Sequence, residues 1–110
     1  MDPTNTAEFA IASFSSRQKT GQDLDVTAPG VAVVGPYQLN SGQLSYYFLS
    51  GTSMASPHVA GIVALMAQVK PGLTAAEAEL KLQAAALPMA EGPLAAGHGF
   101  ITADAALSGL

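Results

Sequence analysis

The chain has 110 residues, 49% hydrophobic and only 11% charged, with a net charge of −4 and no cysteine. That length allows one domain with one core, and the four dispersed basic residues offer no footprint for nucleic acid. The longest apolar run, residues 59–67, is far short of the roughly 20 residues that cross a bilayer, so no membrane span is expected. The lack of cysteine removes any disulfide framework or thiolate metal site and leaves the redox compartment open. Ordinary soluble domains are roughly 25% charged, so part of this chain's surface is expected to be covered by other protein. Residues 1–6 lack the basic and apolar regions of a signal peptide; any secretion signal is expected upstream of Met1 or not at all.

Residues 8–14, with Phe9, Ile11 and Phe14, fit either a strand end or a packed loop, and residues 15–22 read as a surface loop. Leu24-Asp25-Val26-Thr27-Ala28 predicts a short strand stopped by Pro29-Gly30, and Val31 to Val34 a second one closed by Gly35-Pro36. Residues 37–45 look like a polar loop, after which Tyr46-Tyr47-Phe48-Leu49 resumes a strand. A central helix follows. Its apolar residues from Val59 to Ala67 point in every direction, which predicts burial all round. Lys70 suits the negative end of its dipole, and Pro71-Gly72 ends it.

Thr74 and Glu77 predict a capping box at the start of a helix running to Leu87. An apolar stripe of Leu80, Ala84 and Leu87 and a surface pair of Glu77 with Lys81 are expected on it. Pro88 and Gly92-Pro93 stop this helix. Gly97-His98-Gly99-Phe100-Ile101 then reads as a tight turn and short strand, and residues 102–107 as a last helical turn or two. The fold class expected is α/β.

The chemistry is concentrated where a hydroxyl-rich turn meets the central helix, and Ser53 is the candidate reactive group. A neutral serine is a poor nucleophile, so it needs a base for its proton and amide donors for the developing oxyanion. A helix beginning near Thr52 or Ser53 would supply unpaired amides and the positive dipole end. Pro57, lacking an amide hydrogen, would leave the Ser53 carbonyl without its helical partner. A rival local reading puts Ser56 at the N-cap and Pro57 at the first helical position. His58 lies five residues on, about 140° round a helix, and so cannot meet Ser53. His98, in a glycine-flanked turn, is read as structural more readily than as a base.

The run Gly51-Thr52-Ser53-Met54-Ala55-Ser56-Pro57-His58-Val59-Ala60-Gly61 resembles the nucleophile segment of the subtilisin-like serine proteases. Ser13-Phe14-Ser15-Ser16 and the segment 24–30 resemble the two family segments before it, and Gly97 to Ala106 the closing strand and helix. The resemblance covers essentially all of residues 1–110, as an incomplete C-terminal part of that catalytic domain, a three-layer fold with a buried central helix and short strands. It implies a serine endopeptidase working through an acyl-enzyme on Ser53, whose own amide would be half of the oxyanion hole. Thr52 would be an auxiliary hydroxyl, and Met54 an oxidation-sensitive neighbour of the nucleophile. Gly51, Pro57, His58 and Gly61 would be structural members of the motif, and residues around Leu49 and Ser50 would line the leaving-group side.

The family's triad runs aspartate, histidine, serine, so the first two, with the oxyanion asparagine, are expected outside this chain. The chain alone is then expected to be nearly inert. Its partners would be a polypeptide substrate and the missing N-terminal part of the domain or a complementing chain; the family suggests an extracellular setting. No metal is expected in the chemistry; structural calcium is common in the family, but no ligand cluster marks a site here. Gln18 stands where the family usually has glycine. An inactive fragment serving as a binding or complementing subunit is the alternative. A third reading takes Gly51 to Ala55 as a variant α/β-hydrolase elbow with Glu91 and His98 as partners.

Overall fold

A computed structural model describes residues 4–38, 41–42 and 44–110. Its longest element is helix α1, Thr52–Val69, about 27 Å long. Ile62 and Met66 are its buried residues, and Val59 and Val63 pack beside them. These four sit at i, i+3, i+4 and i+7, a single stripe. The other side is open: Ala60, Gly61 and Ala64 are exposed, with Leu65 at 43% and Val69 at 60%. The expected burial on every side is therefore not met within these residues. What packs on α1 is α4, Ala103–Ser108, with Leu82 and Ile101 completing the cluster around Met66.

Helix α2, Ala75–Ala85, starts as expected. The Thr74 amide donates to Glu77 Oε2 at 3.1 Å and the Glu77 amide to Thr74 Oγ1 at 3.2 Å, so each residue satisfies a free donor of the first turn. Its buried face is not the expected one. Ala78 and Leu82 are buried with Ala85 beside them, while Leu80 is 66% exposed. Both stripes have helical spacing; the buried one has two alanines, Ala78 and Ala85, around Leu82, which permits closer approach than a stripe with two leucines. Glu77 pairs with Lys70 at 3.7 Å instead of with Lys81, whose ammonium donates to the Gly109 carbonyl at 3.1 Å.

The outer side of α2 meets residue 25. Gln83 Nε2 donates to Asp25 Oδ1 at 2.8 Å. Glu79 also reaches Asp25, and that hydrogen bond, then the Asp25 charge, raise its carboxyl above the ordinary value of 4.5. A raised carboxyl pKa contributes stability below the unfolded value, and that contribution is lost as pH rises through the folded value. Glu79→Gln, which donates an amide to Asp25 at every pH, is therefore expected to remove that loss, so that its melting temperature gains on the parent's as pH rises above the ordinary carboxylate range. A difference between the two that stays constant with pH would contradict the pairing.

Three extended segments lie side by side at Phe100. Thr27 donates its amide to Gly99 O at 2.7 Å and accepts from the Ile101 amide at 3.0 Å, a parallel bridge. Leu87 and Phe100 exchange two bonds of 2.8 Å, an antiparallel one. The strands expected over 24–28 and 99–101 are thus reduced to single bridges. Phe9 stacks on Phe100 with centroids 4.6 Å apart, which settles residues 8–14 as a packed loop, and Met89 and Ala96 complete this second cluster. Ala96 belongs to α3, Pro93–Ala96, a short helix not foreseen in the sequence.

Strands β1, Val33–Gln38, and β2, Leu44–Leu49, form an antiparallel hairpin. β1 runs straight through Gly35-Pro36, which was expected to stop it. In a two-stranded ribbon both strands are edges, the place in a sheet that tolerates proline. The expected loop over 37–45 is correspondingly shorter, and residues 39, 40 and 43 of it lie outside the described residues.

Candidate active site

The start of α1 is held by the loop that follows Ala28. Gly51, the N-cap, donates its amide to Gly30 O at 2.8 Å. A Cβ on Gly30 would stand only 3.0 Å from Gly51 O, so the two backbones meet where a side chain would crowd them. Ser50 Oγ accepts from the Ala32 amide at 2.8 Å. Ala32 has φ of 51°, a left-handed conformation unusual for a residue with a Cβ, and this bond helps to hold it there. Gly30 was read only as part of a turn that stops a strand, and neither Ala32 nor the bonding role of Ser50 carried a signal in the sequence.

Thr52 and Ser53 are the first two residues of α1, and both are exposed. As at any helix start, their amides have no acceptor within the helix, whereas the Met54 amide is already bonded to Gly51 O at 3.0 Å. The helix begins at Thr52 with Pro57 inside it, so Ser56 is not the N-cap. Pro57 leaves the Ser53 carbonyl without its helical donor. One residue on, His58 Nδ1 lies 2.9 Å from the Met54 carbonyl. A carbonyl only accepts, so Nδ1 carries the hydrogen and bridges the turn loosened by the proline.

Ser53 opens onto a cleft of 360 Å³ between the helix start and the hairpin, lined by Val33, Gly35, Pro36, Leu49, Met54, Pro57 and His58. Met54 Sδ lies over Gly51, 3.5 Å from where a Cβ on that glycine would stand. Gly61, in contrast, sits on the open side of α1 with nothing within 4 Å of an added Cβ. A second, mainly apolar cavity of 280 Å³ lies on the far side of Gly51 and Thr52, bordered by Ile11, Phe14, Val26 and Val59.

No base is hydrogen-bonded to the Ser53 hydroxyl among the described residues. His98 borders a different cavity with Gln18, Asp23 and Gln83. The Glu91 carboxylate accepts from the Ile11 amide at 3.0 Å. Ser53, Glu91 and His98 are therefore not brought together, which removes the α/β-hydrolase reading. Among the described residues no group of three or more histidine, aspartate or glutamate side chains converges as a metal ligand set, and no helix is long and apolar enough to cross a membrane.

The chain is similar to known proteins both in sequence and in three dimensions. An extracellular protease of Xanthomonas campestris pv. campestris is 45% identical over 111 residues, covering 94% of this chain and 18% of its own length. Subtilisin DY of Bacillus licheniformis is 42% identical over 95 residues, covering 86% of this chain and 32% of its own. In three dimensions the chain matches fervidolysin of Fervidobacterium pennivorans, described as a keratinolytic enzyme related to subtilisin. That match has a TM-score of 0.77 at 29% identity, over 93% of this chain and 17% of that one. The chain thus spans less than a third of each of these proteins. The model of the subtilase family matches residues 4–102, nearly the whole chain and every element around Ser53, and the chain accordingly belongs to the subtilase family.

Proposed function

We propose that residues 1–110 are the C-terminal part of a subtilisin-like peptidase domain, and that this part carries the nucleophile of a serine endopeptidase. The observation that supports this best is Ser53 itself: exposed, second in a long helix, its amide free, and open to a cleft. Ser53 Oγ attacks the peptide carbonyl while a histidine on polypeptide outside these residues takes its proton. The oxyanion is met by the Ser53 amide and an outside asparagine, with the Thr52 hydroxyl beside it. The histidine returns the proton to the leaving amine, and water then hydrolyses the acyl-enzyme by the same steps. An aspartate, also outside, orients the histidine. Gly51, Pro57, His58 and Gly61 shape the helix start, and Leu49 lines the leaving-group side. The substrate is polypeptide, and the named relative suggests extracellular work.

The missing part of the domain, or a complementing chain, covers the open side of α1. Joined to segments that carry the histidine and aspartate, the chain should hydrolyse peptides; alone it should be inert. An inert joined protein with native circular dichroism would instead favour the alternative, a fragment acting as a binding or complementing subunit.

Met54 supplies a further expected result. Its sulfur lies against the turn that holds Ser53, and a sulfoxide is polar and bulkier than the thioether. Peroxide should lower the activity of the joined protease in step with the mass of one added oxygen on the peptide containing Met54. A Met54→Leu variant should resist. Equal inactivation of the variant would place the damage elsewhere.

A further inference from the structure

The hairpin face that forms one wall of the Ser53 cleft continues beyond it. Directly opposite residues of an antiparallel pair share a face, as do residues i and i+2. Val33 and Leu49, then Gly35 and Tyr47, then Tyr37 and Ser45 therefore lie on one side, in that order going away from α1. Val33, Gly35 and Leu49 line the cleft with Ser53. Farther out, the rings of Tyr37 and Tyr47 meet edge to face, with centroids 5.7 Å apart and planes at 73°. On the opposite face are Val34, Pro36, Tyr46 and Phe48, of which Pro36 alone borders the cleft. Gly35 leaves a gap between the aliphatic and the aromatic parts, because nothing lies within 4 Å of where its Cβ would be.

We propose that Tyr37 and Tyr47 form a specificity shelf for the leaving-group half of the substrate, receiving an apolar or aromatic side chain three residues beyond the scissile bond. This deepens the peptidase reading and rests on it. In an extended peptide, side chains two residues apart point the same way and are separated by about 6.7 Å. Successive same-face pairs on the hairpin have that same spacing. With the first residue after the scissile bond over Val33 and Leu49, the third lies one pair farther out, over Gly35 and Tyr47, with the Tyr37 ring beside it. The gap at Gly35 admits that side chain. None of Val33, Gly35, Tyr37, Ser45, Tyr47, Leu49 and Met54 is charged, so a charged side chain here gains no ionic partner. An aromatic one gains a third ring contact.

The test uses the intact protease, with this chain joined to its histidine and aspartate segments. A small ester acylates Ser53 and releases its alcohol. The acyl group then passes either to water, giving the acid, or to the amine of an added tripeptide amide, giving a new peptide bond and restoring the Ser53 hydroxyl. The ratio of the two products reads the leaving-group side alone. Gly-Gly-Phe amide should be captured about three- to tenfold better than Gly-Gly-Gly amide. Tyr47→Ala, which removes the shelf, and Gly35→Val, which fills the gap, should each erase that preference. Tyr47→Phe should keep it, and so should Phe48→Ser on the outward face. Glycine-tripeptide capture in the same samples shows that the variants are folded. An acyl-enzyme with no preference for the aromatic tripeptide, or a preference that survives Tyr47→Ala, overturns the shelf alone. Failure to form any acyl-enzyme at Ser53 overturns the peptidase reading and the shelf with it.

Discussion

Ser53→Ala in the intact protease is expected to cut turnover by about a millionfold while leaving the melting temperature nearly unchanged. The size of the loss is that known for subtilisin, a relative of this chain, where removing the nucleophile costs about 2 × 10⁶ in kcat. The structural half of the prediction comes from the site. The Ser53 side chain is exposed and its hydroxyl has no hydrogen-bond partner among the described residues. Alanine is also a good helix former, so α1 loses nothing at its second residue. Peptide-hydrolysis rates and a thermal melt on the same preparation check both halves. Activity within tenfold of the parent would remove Ser53 from the chemistry, and a large drop in melting temperature would make the loss a folding effect.

Gly99→Ala should be the most damaging change to the fold outside the site. Gly99 is buried with φ of 126°, a conformation that residues with a Cβ rarely adopt. The space for a Cβ is already occupied by the Leu87 carbonyl. Relief would require separating Leu87 from Phe100, which breaks their two bonds and disturbs the Thr27 bond to Gly99 O. Those bonds join three segments that each hold on by one bridge. The expected cost exceeds about 4 kcal/mol, a large share of the roughly 5–15 kcal/mol that stabilises a domain. Soluble yield and thermal unfolding of the intact protein measure it. A melting temperature within about 2 °C of the parent would show that the 87–100 bridge yields easily.

What the sequence made legible was local. The capping box of α2 needs two residues three apart, and Thr74 with Glu77 forms it as read. The motif from Gly51 to Gly61 singled out Ser53, and residues 102–107 read as a last helical turn or two, where α4 forms. What remained hidden depends on contacts between distant residues. Gly35-Pro36 looks like a stop signal until the partner strand is known. α2 offers two apolar stripes, and only packing against α1 and α4 chooses Ala78 and Leu82 over Leu80. α1 is apolar all round, but these residues cover one side of it. That mismatch agrees with the low charged fraction and with relatives several times longer. At the site, the left-handed Ala32 pinned by Ser50 had no local signature at all.

The most direct test of the central claim is fluorophosphonate labelling followed by peptide mapping. It is applied to the chain joined to its histidine and aspartate segments, and to the chain alone. Stoichiometric label on Ser53 in the joined protein, with none on the chain alone, is the predicted result. Label on any other residue of the joined protein, or equally fast labelling of Ser53 in the chain alone, would contradict it.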